Sequence, residues 1–374
     1  MNENEFRADA KAVNMDEERI ADAFRLLDEA VARGDTPGGV ALIGRRGRIA
    51  GIHTAGAAHT QAPDGTSIPV KRDTIFDVAS LSKVVGTLPL ILLLVERGHL
   101  RLGDPVVQYI PEFAAEGKEA VTVGQLLTHT SGLLSHKNMY SHGWSPEEIK
   151  AHIFAHPLEY EPGTKMVYSD LGFITLGEIA ARLYGEPLEA AATKHVFAPL
   201  GMRDTGYLPP ESARPRIAAT EYYEKLGRHK WGEVHDENCG ALGGASGHAG
   251  LFSTAEDLAK YAAMWLALGR IGDGGGRLLS EASVATATRS HTGHLPANRG
   301  MGWVLKGDPW DASGDLLSPA CYGHTGFTGT SIWMDPASDC FAVVLTNRVH
   351  YGRDKSVVRL RNCLHNAVAA ACLA

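Results

Sequence analysis

Ser80 and Lys83 stand three residues apart in the sequence SLSK (residues 80–83), at the head of a strongly apolar run. On a helix this spacing places both side chains on one face, where the lysine amine reaches the serine hydroxyl. A serine hydroxyl becomes a good nucleophile when a base takes its proton, and burial near the positive end of a helix lowers the pKa of a lysine toward that role. The motif therefore predicts a nucleophile and its base. The alternative is that Ser80 only caps the helix and that Lys83 extends its amine to the solvent.

Tyr168 and Asp170 belong to a second motif, YSD (residues 168–170), which follows EPGT (residues 161–164) and precedes the helix-like segment LGF. A tyrosine on a loop bounded by proline and glycine can relay a proton between a serine and a leaving group if nearby cations lower its pKa. The alternative is a buried, hydrogen-bonded tyrosine followed by an aspartate that caps the next helix. By itself this motif favours the second, structural interpretation.

A third motif, GHTGFTGTS (residues 323–331), stands at the start of a predicted strand. Gly326 and Gly329 allow a substrate to approach the backbone closely. The exposed edge of a strand can also donate an N–H group to a negative charge that develops on a substrate oxygen. His324 fits a place in such a site, but it fits a solvated turn as well.

Other titratable residues form weaker patterns. The segment VHDEN (residues 234–238) lacks the paired histidines of a zinc hydrolase helix, so a hydrogen-bonded loop near the cleft rim is favoured over a metal fragment. The role of His235, Asp236 and Glu237 stays open. His291 and His294 lack a third ligand nearby and are predicted to lie in a solvated loop. The five cysteines include no CxxC pair, which indicates reduced thiols.

The composition disfavours several classes of protein. The net charge is -7, and no basic cluster is long enough to bind nucleic acid. The longest apolar run, residues 84–95, is too short to cross a bilayer and contains Pro89. The acidic N-terminus lacks the pattern of a secretory signal, so a cytoplasmic protein is expected. No GxSxG, P-loop or GxGxxG motif is present, which disfavours α/β-hydrolases, NTPases and dehydrogenases.

Strand patterns occur near both ends of the chain, and helical patterns lie between them. Residues 15–33 are predicted to form an amphipathic helix that ends at Gly34, and VALIG and RIAGIHTAG flank the turn RRG as an antiparallel hairpin. Later strands are predicted at residues 302–305, 330–334 and 341–345, before a last helix at 355–371. The clearer central helices are predicted at residues 84–97, 123–128, 146–155, 174–183 and 255–268.

Early and late strands are therefore predicted to form one sheet, with the central helices inserted as a second lobe. A chain of 374 residues is long enough for two lobes. Strands and helices do not alternate regularly, so the predicted fold class is mixed α/β (α+β), with a largely antiparallel sheet flanked by helices. The expected division is residues 1–76 plus 290–374 for the sheet lobe and residues 77–289 for the mostly helical lobe, with the active site between them.

The three motifs together resemble the ordered signature of the penicillin-recognising serine hydrolases. That signature is SxxK, then a triplet similar to Tyr-x-Asn, then a His- or Lys-Thr-Gly triplet on a late strand. The tyrosine in the second motif is similar to the pattern of one branch, in which a tyrosine replaces the serine of the SDN motif. That branch holds class C β-lactamases, D-alanyl-D-alanine carboxypeptidases and β-lactamase-like esterases. Flanking stretches similar to that branch are DPVVQYIPEF (104–113), LLTHTSGL (126–133), PLGMRDTGY (199–207), GHAGLFSTAEDLAKY (247–261) and VVLTNR (343–348). His129 and His248 lie in these stretches, where buried, hydrogen-bonded histidines are expected.

Carried over by position, the resemblance implies a role for each motif. Ser80 is then the acylated nucleophile, Lys83 and Tyr168 are the base and proton shuttle, and the N–H groups of Ser80 and Phe327 form the oxyanion hole. Asp170 would orient Lys83 or a substrate amide. The further residues implied on the substrate side are His324, Thr325, Gly326 and Asn347, the first two facing a substrate carboxylate. No metal or organic cofactor is implied, the expected partner is a small ester or amide, and the oligomeric state stays open.

Two positions depart from that family pattern. Asp170 stands where asparagine is usual, and an ionised carboxylate would favour a charged Lys83 and repel an anionic substrate. His324 stands where many β-lactamases have lysine, and a neutral imidazole holds a carboxylate less firmly. We therefore expect a serine acyl hydrolase with a covalent acyl-enzyme, first of all a carboxylesterase on small esters. The alternative is β-lactamase, D-alanyl-D-alanine carboxypeptidase or D-aminopeptidase activity, and a non-catalytic binding module of the same fold is a remote one.

Overall fold

The structure, a computed structural model, describes residues 6–272, 274 and 276–373. Its strands are β1 (Gly38–Arg45), β2 (Arg48–His59), β3 (Ile68–Pro69), β4 (Phe76–Asp77), β5 (Gly206–Tyr207), β6 (Tyr222–Tyr223), β7 (Arg228–His229), β8 (Leu251–Ser253), β9 (Arg270–Ile271), β10 (Gly276–Arg277), β11 (Val304–Leu305), β12 (Tyr322–Thr325), β13 (Ser331–Asp335) and β14 (Cys340–Thr346). Its α-helices are α1 (Glu17–Ala32), α2 (Leu88–Glu96), α3 (Val123–Leu127), α4 (Pro146–Ala155), α5 (Asp170–Tyr184), α6 (Leu188–Ala192), α7 (Ala198–Leu200), α8 (Glu237–Ala241), α9 (Ala255–Leu266), α10 (Glu281–Thr288) and α11 (Val358–Ala371). The tighter or wider helical turns are the π-turns Lys83–Thr87 and Thr193–Phe197 and the 3-10 turns Ala10–Val13, Val106–Gln108, Pro111–Gly117, Tyr140–His142, Glu211–Arg216, Glu224–Leu226 and Arg348–Tyr351.

The main sheet joins strands from both ends of the chain. Within the described residues it has seven strands in the order β11-β12-β13-β14-β1-β2-β3, and each neighbouring pair is antiparallel. Val40 of β1 lies opposite Leu345 of β14 on one side and Thr54 of β2 on the other. The predicted hairpin and the predicted fold class are confirmed. The third motif forms β12 and the turn after it, instead of only the entry to the next strand.

Both faces of this sheet are buried, which explains why β1 and β14 are almost entirely apolar. Successive side chains of a strand point to opposite faces. Ala41 and Ile43 therefore pack with α1 and α11, whereas Val40 and Leu42 face the larger core that contains the central helices. Helix α9 lies within the segment 77–289 but packs on β13, β14 and β1. The division into two lobes at those boundaries stays a prediction.

The apolar run after Ser80 begins with a π-helical turn and not with the regular helix predicted from the sequence. Residues Lys83–Thr87 form this turn, and α2 follows directly. Gly86 lies in the turn, where a Cβ atom would stand 2.4 Å from the hydroxyl oxygen of Tyr207. Ala79 has a φ of 48°, in the left-handed region that is strained for any residue except glycine. The nucleophile candidate is thus held between a strained residue and a wide turn, features that cluster at functional sites.

Three features of the described residues bear on the classes of function. No helix in the part of the chain that the structure describes combines the length and apolar character needed to cross a bilayer. The same part contains no group of three or more His, Cys, Asp or Glu side chains arranged to hold a metal ion. All five cysteines are free thiols.

Candidate active site

A cavity of about 630 Å³ opens where the three sequence motifs meet. The predicted site residues that line it are Ser80, Tyr168, Asp170, His324, Thr325, Gly326 and Phe327. Lys83 is fully buried beside Ser80, and Asn347 does not line the cavity. Segments far apart in the chain therefore converge on one hydroxyl group.

Lys83 has an acceptor for each of its three ammonium protons. Its Nζ lies 3.2 Å from the Ser80 hydroxyl oxygen, 3.0 Å from the carbonyl oxygen of His248 and 2.7 Å from Asp170 Oδ1. Ser169, and not Asp170, caps helix α5, because its hydroxyl accepts the N–H of the third residue in the helix. Asp170 is thereby free to pair with the lysine. A charged Lys83 in this geometry donates to Ser80 and cannot take its proton.

Two opposing effects set the charge of Lys83. Burial alone lowers the pKa of a lysine, but Asp170 and Tyr168 raise the pKa of Lys83 above its ordinary value. Burial likewise raises the pKa of a carboxyl, yet Lys83, His136 and His248 hold the pKa of Asp170 well below its usual range. The pair is an ammonium and a carboxylate at neutral pH. The lowered lysine pKa expected from the apolar run is wrong, because the adjacent carboxylate outweighs burial.

Tyr168 lies over the same ammonium. The Nζ of Lys83 is 4.8 Å from the centre of the tyrosine ring, and Lys83 and Ser80 both lie close enough to the phenol to lower its pKa. Burial raises the pKa of Tyr168, and the neighbouring Lys83 only partly offsets this rise. Trp310 stacks on the ring at a centroid distance of 5.4 Å. Tyr168 is therefore a neutral phenol with Trp310 against one face, and its role in proton transfer stays a prediction.

Two backbone N–H groups near the nucleophile, those of Ser80 and Phe327, have no hydrogen-bond partner within the described residues. Phe327 lies in the turn that follows β12. In this turn the hydroxyls of Thr328 and Thr330 donate to the carbonyl oxygens of residues 77 and 78, over 2.7 and 3.0 Å. These bonds tie Phe327 to the segment that precedes Ser80. The joint binding of one negatively charged oxygen by the two N–H groups stays a prediction.

Gly326 is needed for this close packing. A Cβ atom there would stand 2.1 Å from the hydroxyl oxygen of Thr330 and 2.4 Å from the carbonyl oxygen of Val78. The carbonyl oxygens of Gly326 and Thr330 both accept hydrogen bonds from Arg361 Nη2, over 3.0 and 2.8 Å. The glycine therefore allows the turn to lie against the nucleophile segment. Its contact with a substrate stays a prediction.

His324 is neutral. Its Nδ1 lies 2.8 Å from the carbonyl oxygen of Thr325, which places the proton on Nδ1 and leaves Nε2 as an acceptor. Nε2 is buried and has no partner in the described residues. Burial, with the nearby charges of Arg299 and Lys83, lowers the pKa of His324 to about 3. A substrate carboxylate meets no positive charge at this imidazole, as expected from the sequence, and the contact of His324 with a substrate stays a prediction.

Asn347 lies at the end of β14 and is 1% exposed. Its Nδ2 donates to the carbonyl oxygens of Ala58 and Ala219, over 3.0 and 3.1 Å. The amide thus joins the end of β2 to the segment before β6. Because the side chain is used in this way and lies outside the cavity wall, the structure gives Asn347 a packing role and not the implied substrate contact.

The cavity walls also hold residues that the sequence motifs do not reveal. His136 faces Asp170, with 3.6 Å between its Nδ1 and Oδ2 of the carboxylate. Trp310 lies at the mouth and is 56% exposed. Arg348 and Arg361 line the cavity, and neither has a carboxylate within 4.0 Å among the described residues. No sequence spacing connects these positions, because they reach the cavity from separate loops and from α11.

The acidic segment at residues 234–238 forms part of the cavity rim, as the favoured interpretation predicted. His235 Nε2 lies 2.9 Å from Glu221 Oε2, and Asp236 Oδ1 lies 3.0 Å from His248 Nε2. Asp236 also accepts the N–H of Cys239 and so caps α8. His248 is buried and hydrogen-bonded, as expected. The segment orders the rim through these contacts.

Comparisons with known proteins agree with this geometry. A family model described as Beta-lactamase matches residues 23–364. A putative D-alanyl-D-alanine carboxypeptidase of Salmonella agona (strain SL483) is 33% identical over 307 residues, which are 74% of this chain and 70% of the relative. The solved structure of EstCE1, described as a hydrolase with promiscuous acyltransferase activity, is 24% identical, has a TM-score of 0.72 and covers 94% of this chain and 99% of its own. The class C β-lactamase of Rhodobacter sphaeroides is 22% identical, with a TM-score of 0.71 and coverage of 96% and 100%.

Proposed function

The chain belongs to the β-lactamase family and is a serine hydrolase of that fold, and on this premise we propose that it hydrolyses small carboxylic esters through an acyl-enzyme on Ser80. The observation that carries the proposal is the convergence on Ser80. Its hydroxyl contacts Lys83 over 3.2 Å and lies beside two N–H groups that have no partner in the described residues. A nucleophile, a proton acceptor and an oxyanion hole are the parts that acyl transfer needs.

In the proposed reaction Lys83 first releases one proton. The Ser80 oxygen then bonds to the carbonyl carbon of the ester while its own proton passes, by way of Tyr168, to the neutral amine of Lys83. The carbonyl oxygen takes the negative charge and accepts hydrogen bonds from the N–H groups of Ser80 and Phe327. The base returns the proton to the departing alcohol as the carbon–oxygen bond breaks, which leaves an acyl group on Ser80. Water then attacks the same carbon by the same route and releases the acid and the free serine.

The preference for neutral esters rests on the state of His324. This imidazole is uncharged, with a pKa of about 3, so it offers a hydrogen-bond acceptor and no charge to an anionic group. Trp310 and Phe327 add large exposed aromatic surfaces at the mouth of the cavity. An uncharged ester with an apolar acyl or alcohol group fits these two features better than a small anion does.

Hydrolysis of D-alanyl peptides is the second candidate, because a relative of that name is 33% identical. Such peptides end in a carboxylate. Arg348 and Arg361 line the cavity without a carboxylate within 4.0 Å in the described part of the chain, and they would be the residues to hold this group. If they do, the arginines take over the task that the neutral His324 cannot perform.

The acyl-enzyme is tested by incubation with a fluorophosphonate probe and measurement of the intact mass. We expect one adduct on the native chain, none on Ser80→Ala, and an undiminished adduct on Ser82→Ala, which removes the neighbouring hydroxyl of the same motif and is first checked for folding by circular dichroism. A native chain without an adduct would favour the non-catalytic binding module. An adduct that persists in Ser80→Ala would place the nucleophile elsewhere.

The substrate class is tested by comparing kcat/KM for 4-nitrophenyl acetate, a chromogenic cephalosporin and a D-alanyl-D-alanine peptide. The ester is expected to be the fastest of the three. A peptide that is faster than the ester, with a rate that Arg348→Gln lowers, would replace the esterase by the second candidate.

A further inference from the structure

The reaction proposed above, on which this inference rests, needs a neutral Lys83 or a path by which the lysine releases its proton. In the resting protein the ammonium donates to Ser80 and to Asp170 at once. A charged amine that donates to the nucleophile lowers its electron density and cannot act as its base. Something near Asp170 must therefore weaken the hold of this carboxylate on the lysine.

His136 is the residue placed to do this. The two oxygens of Asp170 have different partners: Oδ1 lies 2.7 Å from Lys83 Nζ, and Oδ2 lies 3.6 Å from His136 Nδ1. Exposure rises along this line, since the side chains of Lys83, Asp170 and His136 are 0%, 18% and 51% exposed. One carboxylate is thus shared between a buried ammonium and an imidazole that reaches the solvent.

We propose that His136 is a positioning residue that governs the charge of Lys83 through Asp170. When His136 is protonated, its charge is balanced by Asp170, and the same carboxylate holds the lysine proton less firmly. With His136 charged, Lys83 loses its proton more easily, so the neutral lysine is populated at a lower pH. This neutral amine can take the Ser80 proton.

The surroundings of His136 support this exchange of charge. Its contact with Asp170, together with the nearby Asp236 and Glu237, raises the pKa of His136 above the ordinary value, so a large fraction of the imidazole is charged near neutral pH. His248 also lies near Asp170, and its Nε2 lies 3.0 Å from Asp236 Oδ1. Glu237 is paired with Arg353. Asp170 is therefore the carboxylate that couples His136 to the lysine.

The test compares kcat/KM for 4-nitrophenyl acetate in the native protein, His136→Gln and His136→Lys at low and high pH. At about pH 6.5 we expect His136→Gln to be about tenfold slower, the coupling that one shared charge typically gives. At about pH 9 the native imidazole is neutral, so this deficit should disappear. His136→Lys, which keeps a positive charge, should show no deficit at either pH, and neither should His99→Gln, an exposed histidine outside the cavity.

A double-mutant cycle separates this role from a contact with the substrate. In an Asp170→Asn background the shared charge is gone, so His136→Gln should cost much less than the tenfold seen in the native protein. An equal deficit at both pH values, or an equal deficit with and without Asp170, would overturn the proposal, because it would show that His136 acts by structure or by substrate contact.

A second readout does not need turnover. In the Ser80→Ala protein, the titration of His136 is followed by NMR of histidine labelled with ¹³C. Removal of the competing ammonium in Lys83→Met should raise the proton affinity of His136 about tenfold, by the reciprocity of linked sites, and Asp170→Asn should lower it. If Lys83→Met leaves the pKa of His136 unchanged, the coupling is refuted. If that pKa shifts as expected but the native chain forms no fluorophosphonate adduct, only the proposed function is refuted.

Discussion

Among the residues that the structure describes, two lysines are completely buried, and their pKa values are shifted in opposite directions. Lys83 is 0% exposed and pairs with Asp170, and its pKa is raised. Lys118 is also 0% exposed, but its Nζ donates to the carbonyl oxygens of Ala115 and His156, each over 2.7 Å. Burial lowers the pKa of Lys118, and the more distant charges of nearby acids only partly offset it.

This difference shows that burial does not make a lysine a base by itself. Neutral carbonyl oxygens satisfy the hydrogen bonds of an ammonium without a full opposing charge, so burial decides the pKa of Lys118. At Lys83 one carboxylate oxygen at 2.7 Å reverses the result. Lys118 follows the 3-10 turn Pro111–Gly117 and does not line the cavity. Its two hydrogen bonds join this turn to the end of α4.

The largest effect is expected from removing one amine or the other. Lys83→Met should lower kcat/KM for 4-nitrophenyl acetate roughly 10³-fold, the contribution of a general base. Lys118→Met should leave kcat/KM within about twofold, since it lies far from the cavity. It should lower the free energy of unfolding in urea by about 1 kcal/mol, because two carbonyl oxygens lose their donor. Similar rates for the two variants would contradict the distinction between the two lysines.

A buried histidine without a carboxylate partner tests the same effect of burial on the pKa, at acid pH. Burial, and then the neighbouring His229 and His59, lower the pKa of His350 to about 3. Because the unfolded chain binds this proton near pH 6.5 and the folded protein does not, stability falls as the pH drops below that value. The loss is about 1 kcal/mol per pH unit for this group down to the folded pKa. Urea unfolding at pH 7, 6 and 5 measures it.

His350→Asn is the matched variant for this measurement. The histidine Nδ1 donates to the carbonyl oxygen of Ala219 over 3.2 Å, and an asparagine amide retains a donor. The variant should have a flatter dependence of stability on pH. An unchanged slope would mean that His350 is protonated in the folded protein and that burial does not control its charge.

The smallest effect is expected from a substitution that leaves Lys83 with only neutral acceptors, as Lys118 has. Asp170→Asn keeps an oxygen for the ammonium but removes the negative charge, so the pKa of Lys83 should fall. The acid edge of the pH profile of kcat/KM should then move to lower pH, with a gain of about tenfold at pH 7. Asp64→Asn, at an exposed loop, removes the same charge and should change nothing. A lower rate in Asp170→Asn would show that the carboxylate is needed for more than holding the proton.

Much of the fold follows from local patterns. Alternation and turn residues predict the hairpin β1–β2, and helical periodicity predicts α1, α4 and α9 to within a few residues. The π-turn at Lys83–Thr87 could not be predicted, because it accommodates the Tyr207 hydroxyl against Gly86, a contact between distant parts of the chain. Asn347 was misplaced for a similar reason, since its partners Ala58 and Ala219 lie far away in sequence.

The sequence by itself predicted which groups carry the proposed chemistry. The spacing of Ser80 and Lys83 is a local feature that can be recognised in the sequence. The same holds for the tyrosine motif and the glycine-rich strand end that follow it in order. Only the tertiary structure decided the protonation of these groups. The charge of Lys83 depends on Asp170 and His136, and that of His324 on burial and nearby cations, because electrostatic energies vary with distances of a few ångströms that no spacing in the sequence sets.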